Sequence, residues 1–588
     1  RSGELPELVQ QAWESVGAIG NLEQLQSALK KTMYTLGIWS RKKFGNITRE
    51  LAKSRSQLEE LMNMNADRQD IRRVTDRMNE LLYQEEMLWL QRSRINWLKE
   101  GDRNTKYFQS KAVWRARKNK VRELVDDNGV AHSDEATMRQ MANEYFQGMY
   151  TADLNLIHTP VLSLFDALIT DDDNAKLCAP FSDDEISDAL FQIGPLKAPG
   201  PDGFPARFFQ RNWITLRDSV ITSVKEFFNS GVMPEGVNST SIVLIPKVPN
   251  PSKLTDFRPI SLCNVTYKVI SKCLVNRLRP ILDDIISPEQ SAFIPGRMIT
   301  DNALIAFECI HHIKQEKDPT RSFCAYKLDL SKAYDRVDWV FLKQMMQKLG
   351  FSHQWVDWIM TCVTSVRYSV KLNGTHLDSF APSRGLRQGD PLSPFLFLFV
   401  ADGLSAILKQ EVNIGSINPI RVCRRAPGIS HLLFADDSLL FFEATQDQAM
   451  KVKEILDLYA SATGQSINLN KCSILFGPAC SEVAQNAIRT ILEVTKAEFE
   501  EKYLGLPTPE GRMSKGRFQN LQACLIKRLI QWGDGGLAQS GRKVLIKSVA
   551  QSLLTYIMGV FKLPFSVCDD LTRMVRNFYW GSKEGRRK

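Results

Sequence analysis

The sequence is thin in the residues that build soft metal cages and covalent frameworks. It has seven histidines in 588 residues, and its eleven cysteines include no C-x-x-C pair. That spacing excludes a zinc finger and a disulfide framework, and scattered thiols fit a reducing compartment and small apolar core positions. Long hydrophobic runs are missing too. The longest, Phe395 to Ala401, falls far short of the roughly 18 residues that a membrane-spanning helix needs. The opening residues carry Glu4, Glu7 and Glu14 and no apolar core, so no signal peptide is read there. Residues 46–100 contain neither glycine nor proline, and no stretch of the chain is repeated or of low complexity.

What is present is an ordinary globular composition with a mild excess of positive charge. Lys+Arg is 76 and Asp+Glu is 66, a formal net charge of +10. The length allows about three or four structural units. In the segment without glycine or proline, Ile71, Val74, Met78 and Leu81 recur at helical spacing, with Leu88 a heptad later. One or more long amphipathic helices follow from that pattern. Residues 92–122 hold eleven Lys/Arg, with Trp97, Tyr107, Phe108 and Trp114 interleaved. Cations pair with phosphates and bases stack on rings, so this mixture suits nucleic acid. Asn128-Gly129 marks a hairpin turn, and a helix is expected from about Ser133 to Tyr150. Ser241 to Ile245 reads as a strand, and Pro259 to Arg279 as a loop running into a helix. The stretch from Lys515 to Phe578 reads as helical and basic.

Two acidic sites stand out. Asp329 ends the apolar run Phe323 to Leu330, and Asp436-Asp437 interrupts the β-prone stretch from His431 to Phe442. Two strands meeting at a tight turn would place that pair at its tip. Alone, an Asp-Asp at a hairpin tip is an ordinary solvated turn. Carboxylates crowded against a core are costly, however, and a hard divalent cation with oxygen ligands is the natural neutraliser. Three such carboxylates can hold two Mg²⁺ about 4 Å apart, the arrangement that drives in-line phosphoryl displacement. The surroundings support that reading. Tyr334 follows Asp329 by five residues, where an aromatic ring can block a 2′-hydroxyl. Gln388-Gly389 precedes a helix and offers backbone to a nascent base pair. Lys247 and Arg258 supply cations that could clamp phosphates.

The order of the Asp329 block, Arg387-Gln-Gly-Asp-Pro-Leu-Ser-Pro394 and Phe434-Ala-Asp-Asp437 resembles reverse transcriptases, and more narrowly the polymerase of plant non-LTR (LINE-type) retrotransposons. Supporting strings are Trp97 to Phe108, Lys197 to Gly203, Asp256 to Leu262, Phe293-Ile-Pro-Gly-Arg297 and Tyr503-Leu-Gly505. The resemblance implies an α+β right-hand polymerase with fingers, palm and thumb, an RRM-like antiparallel palm sheet and an α-helical N-terminal extension. It implies a helical linker region over 1–84 downstream of a missing endonuclease, a basic extension over 85–240, fingers over 241–324, palm over 325–510 and a helical thumb over 511–588. Asp329, Asp436 and Asp437 fall on the family's catalytic metal ligands, holding two Mg²⁺ with Mn²⁺ as a possible substitute. Tyr334 falls on the sugar gate, and Gln388 and Gly389 on the template and nucleotide contact. Lys247 and Arg258 fall on the triphosphate-holding fingers residues, and Lys471 near the lysine that protonates pyrophosphate. Trp97, Lys106, Arg115, Arg117, Lys118 and Lys120, with Arg517, Lys527 and Arg542 of the thumb, are expected to contact nucleic acid. The expected partners are an RNA template, a DNA primer or target and dNTPs; the resemblance implies the nucleus as the compartment and allows RNA–protein assembly in the cytoplasm.

The chain begins at Arg1 and carries no Cys/His knuckle near its end, so it reads as a polymerase fragment without a nuclease of its own. Two other readings compete. One is a catalytically decayed protein that keeps the fold and binds RNA through residues 92–122. The other is a group II intron polymerase, which the Lys197 to Gly203 insertion disfavours.

Overall fold

The computed structural model describes residues 4–44, 47–64, 66–93, 105–500, 502–508, 515–533 and 539–580. Twelve strands occur among them. β1 (Leu124–Val125) and β2 (Ala131–His132) form a small hairpin around Asn128-Gly129. β3 (Ser239–Pro246), β4 (Phe257–Cys263), β6 (Arg367–Leu372) and β7 (Thr375–His376) make a four-stranded sheet in the order β4-β3-β6-β7. β5 (Phe323–Asp329), β8 (His431–Phe434), β9 (Asp437–Glu443) and β10 (Ser473–Phe476) make the second, in the order β10-β5-β9-β8. β11 (Lys502–Tyr503) and β12 (Leu506–Pro507) form a short turn.

The second sheet is antiparallel throughout and is buried on both faces. Tyr326, Leu328, Leu440 and Phe442 join the main core with the helices Ser393–Asn413 and Gln446–Thr463. Ala325, Leu439 and Phe441 join a separate core with the helix Ile299–Gln315. Double-sided burial explains why these strands read as continuous apolar runs rather than alternating ones.

The first sheet differs from the sequence reading in one element. Phe257 to Cys263 is a strand, not a loop, and the helix that follows spans Val265–Leu278. Pro259 disguised it, since proline cannot donate to a ladder. β4 lies at the sheet's edge, where the missing N–H costs no ladder bond. The same sheet pairs β3 with β6 in parallel, Ile242 opposite Val370, so it draws strands from both sides of residue 325.

The helices of residues 4–93 divide into two pairs. Glu4–Glu14 and Leu22–Phe44 are docked on the main body: Trp13, Leu22, Leu25 and Leu29 are buried in its core. Trp13 donates from Nε1 to Ser219 Oγ at 3.1 Å, and Ser223 Oγ donates to the Asn21 carbonyl at 3.0 Å. Ile47–Asn63 and Arg68–Ser93 run past each other, with Leu51 and Leu81 buried between charged outer faces. The helix Thr105–Asn119 buries Phe108 in a cluster with Phe518, Leu521, Leu525 and Leu571, so the basic extension packs on the C-terminal helices. All eleven cysteines are free thiols, seven of them buried. Among the described residues no helix is long and apolar enough to cross a membrane.

Candidate active site

β5 ends at Asp329, and its register with β9 puts Asp329 directly opposite Asp437. Phe434 pairs with Asp437 across the β8–β9 hairpin, leaving Ala435 and Asp436 as its two-residue turn. Ala435 has φ +55°, the left-handed region that a tight turn requires. Strand pairing alone therefore brings the three aspartates to one end of the sheet.

Their surroundings neutralise them only in part. Asp329 Oδ2 accepts from Asn468 Nδ2 at 3.0 Å and lies 3.6 Å from Lys471 Nζ. The surrounding protein strips water from Asp436 and raises its pKa; Asp329 adds to the rise, while Arg258 and Lys471 oppose it. Asp437 is raised in the same way, by lost solvation first and then by Asp436. Lys247 Nζ donates to the Thr255 carbonyl at 3.1 Å. Its pKa is lowered by lost solvation, then by Lys471 and Arg258. The three carboxylates thus share one electrostatic field with Lys247, Arg258, Lys327 and Lys471. The donor set is hard, oxygen-only and self-repelling, which fits divalent cations of the Mg²⁺ kind. Among the described residues, no group of three or more His, Cys, Asp or Glu side chains is already drawn together as a ligand set.

The neighbouring segments are laced together. The Tyr334 ring stacks on Phe397 with centroids 4.8 Å apart and planes 16° from parallel, and its carbonyl accepts the Leu386 N–H at 2.7 Å. The Gln388 carbonyl accepts the Ser261 N–H at 2.8 Å. Gly389 has φ +112°, and a Cβ there would lie 3.1 Å from the Ser261 carbonyl, so a side chain would be strained.

Three residues in this region escaped the sequence reading. Asp335 is buried next to Tyr334, accepting from Tyr150 OH at 3.0 Å and, at 3.3 Å, from Gln388 Nε2. Burial pushes its pKa up to about 6, against the pull of Tyr150 and Lys332. Lys332, at φ +54°, hydrogen-bonds Tyr145 OH and lies over that ring. Burial lowers its pKa to about 8. Asn468 is the third. The string Lys332-Ala-Tyr-Asp335 held a signal, two charges flanking an apolar pair, but nothing local says that Asp335 turns inward.

Of the residues expected on nucleic acid, Arg117, Lys118 and Lys120 are exposed and Arg115 is half-buried. Lys118 lies 5.2 Å from the centre of the exposed Trp114 ring. Lys527 is exposed. Arg542 is turned inward, donating to the Phe578 and Tyr579 carbonyls at 3.3 Å each. It ties off the helix Phe565–Trp580. Trp97 and the side chains of Lys106 and Arg517 lie outside the described residues.

Residues 245–508 match the reverse transcriptase (RNA-dependent DNA polymerase) family. Over 501 residues, 84% of this chain and 37% of the relative, the sequence is 27% identical to the Transposon TX1 uncharacterized 149 kDa protein of Xenopus laevis. It is 29% identical over 277 residues to the retrovirus-related Pol polyprotein from type-2 retrotransposable element R2DM of Drosophila melanogaster, covering 47% of this chain and 24% of that protein. A 67-residue stretch, 11% of this chain, is 48% identical to an uncharacterized mitochondrial protein of Arabidopsis thaliana and covers 55% of it. The matches span only 37% and 24% of the two longer relatives. The matched region holds all three aspartates and the whole second sheet, and with these relatives it shows that residues 245–508 are similar to the reverse transcriptases of non-LTR retrotransposons.

Proposed function

We propose that this chain copies retrotransposon RNA into DNA, extending a DNA 3′-hydroxyl with dNTPs. The observation that carries the reading is the register that sets Asp329 opposite Asp437, with Asp436 in the adjoining turn. In the reaction, the primer oxygen bonds to the α-phosphorus of the incoming nucleotide, and the bond from that phosphorus to the pyrophosphate oxygen breaks. Reverse transcriptases use divalent metal ions. Here Asp329, Asp436 and Asp437 would hold two Mg²⁺, or Mn²⁺ in their place, which would lower the pKa of the attacking hydroxyl and neutralise the leaving pyrophosphate. Lys247 and Arg258 bind the triphosphate, and Lys471 supplies a proton to the departing pyrophosphate. Gln388 and Gly389 contact the template and the incoming nucleotide. The two sheets act as palm and fingers, and the C-terminal helices act as thumb. The site of action is the nucleus.

Primer extension on poly(rA)/oligo(dT) with dTTP, in Mg²⁺ and in EDTA, tests the reading. Mg²⁺-dependent extension is expected. A folded chain that binds RNA without extending it would favour the decayed, RNA-binding alternative.

Two variants refine it. Tyr334→Ala opens the space beneath the ribose and is expected to raise ribonucleotide incorporation relative to dNTP by about tenfold or more. Competition assays with UTP against dTTP measure this, and unchanged selectivity would remove Tyr334 from the gate. Replacing Arg115, Arg117, Lys118 and Lys120 together by Ala is expected to weaken template binding. The slope of log affinity against log salt should flatten by up to about 3, since each phosphate contact on a single strand contributes roughly 0.7. An unaltered slope would make the segment structural.

A further inference from the structure

The catalytic hairpin is an edge feature. β8 is the last strand of its sheet, and the hairpin's turn depends on one alanine in a left-handed conformation. Such an edge needs a brace to hold two metal ligands in place.

The segment 286–297 supplies one. The Leu433 N–H donates to the Glu289 carbonyl at 2.9 Å, and the Ser291 N–H donates to the Leu433 carbonyl at 3.1 Å, so the segment pairs with β8 where the sheet would otherwise stop. At the centre is Gln290, wholly buried. Its Oε1 accepts the Ala435 N–H at 2.9 Å and the Ala292 N–H at 3.0 Å. Its Nε2 has no hydrogen-bond partner among the described residues, so the amide acts through its oxygen alone.

Gln290 is itself held. Arg297 spans the segment like a clasp. Its Nη1 donates to the Ser287 and Gln290 carbonyls at 2.6 Å each, its Nη2 to the Ile286 and Asp283 carbonyls at 2.9 and 3.1 Å, and its Nε to Asp283 Oδ1 at 2.8 Å. Asn302 adds a second tie, donating to the Leu433 carbonyl at 3.0 Å and to Ser291 Oγ at 2.9 Å, and it is fixed by Tyr503 OH at 2.8 Å. The Phe293 to Arg297 string, distinctive in the sequence but without a role there, thereby reaches the metal-ligand turn through one glutamine.

We propose that Gln290 is a positioning residue for the Asp436-Asp437 turn: its side-chain carbonyl fixes the Ala435 N–H, and Arg297 fixes Gln290. The inference rests on the polymerase reading of the aspartates. It differs from a packing role because it names one acceptor atom and one N–H.

The test uses the full chain on primer–template with Gln290→Met and Gln290→Glu. Methionine keeps the volume but leaves two buried N–H groups unpaired. Glutamate keeps an acceptor at the same atom. Gln290→Met is expected to lower kcat for dTTP addition about tenfold with KM for dTTP within about twofold. Mn²⁺ binding, followed by loss of the free-ion EPR signal without nucleotide, should weaken about tenfold. Gln290→Glu should restore both to within about threefold of the parent. If Gln290→Met does not fold, Arg297→Lys, which loosens the clasp without emptying it, should give the same pattern at about threefold. Parental kcat and Mn²⁺ affinity in a folded Gln290→Met, or equal losses in the Met and Glu variants, would overturn the assignment. A parent chain that never extends a primer counts against the polymerase reading, and the Mn²⁺ titration still decides Gln290.

Discussion

Asp436→Asn is expected to lower nucleotide addition by about three orders of magnitude, because on the proposed reading it removes a charged metal ligand worth several kcal/mol of transition-state stabilisation. RNA affinity should stay at the parental value. The variant is nearly isosteric. The turn it occupies is set by the backbone pairing of Phe434 with Asp437 and by the conformation of Ala435, not by the Asp436 carboxylate. Stability should move the other way from activity. Asp436 is raised by lost solvation and by Asp329, and Asp437 is raised in part by Asp436, so removing one charge relieves both neighbours. A melting temperature equal to or above the parent's, with activity gone, is the signature of a site that keeps like charges together for function. Single-turnover dTTP addition, filter binding and thermal melts on the same preparation decide it. Retained activity in the variant would sink the assignment of the metal ligands.

The aspartate hairpin was legible because its information is local. Apolar β-prone residues flank a two-residue break in Phe434-Ala-Asp-Asp437, and the only compact solution is a tight turn. Asp329 was legible for a similar reason, as the polar end of a buried strand. The strand order β10-β5-β9-β8 was not readable from local pattern, since β5 and β9 are more than 100 residues apart and pair through tertiary packing. The docking of Trp13 and Leu25 on the body was hidden likewise, because an amphipathic helix announces an apolar face but not what covers it. β4 was hidden by Pro259, whose place on an edge only the sheet order reveals. Arg542 shows the converse limit. A basic residue on a basic helix suggested a phosphate contact, and the carbonyls of Phe578 and Tyr579 claim it instead. Gln290 and Asn302 carry no local signal, since a buried amide looks like any other polar residue until its partners are placed.

Arg387→Met is expected to destabilise the fold by about 3–5 kcal/mol, the usual result of orphaning one member of a buried ion pair. Arg387 and Asp390 flank Gln388 and Gly389, and each side chain is only 3% exposed. Arg387 Nη2 lies 3.1 Å from Asp390 Oδ2 and donates to the Cys362 carbonyl at 2.9 Å. Nη1 reaches Asn238 Oδ1, and the guanidinium lies over the Tyr267 ring at 4.0 Å. Asp390 also accepts from Tyr267 OH at 2.7 Å and from the Leu392 N–H at 3.1 Å. The pair ties β3, the helix Val265–Leu278 and the helix His353–Thr364 to the turn that presents Gln388 and Gly389. Removing the cation leaves a carboxylate with neutral donors only, in a place water does not reach. Replacing both partners, as Arg387→Met with Asp390→Leu, should recover much of the loss, because the desolvated charges leave together. Urea melts of the two single variants and the double variant give the coupling directly. KM for dTTP in whatever fraction stays folded should change little, which separates these two residues from Gln388 and Gly389 between them. A single variant as stable as the parent would mean that the pair does not hold the turn. A double variant no better than the worse single would mean that the charges, and not their burial, stabilise it.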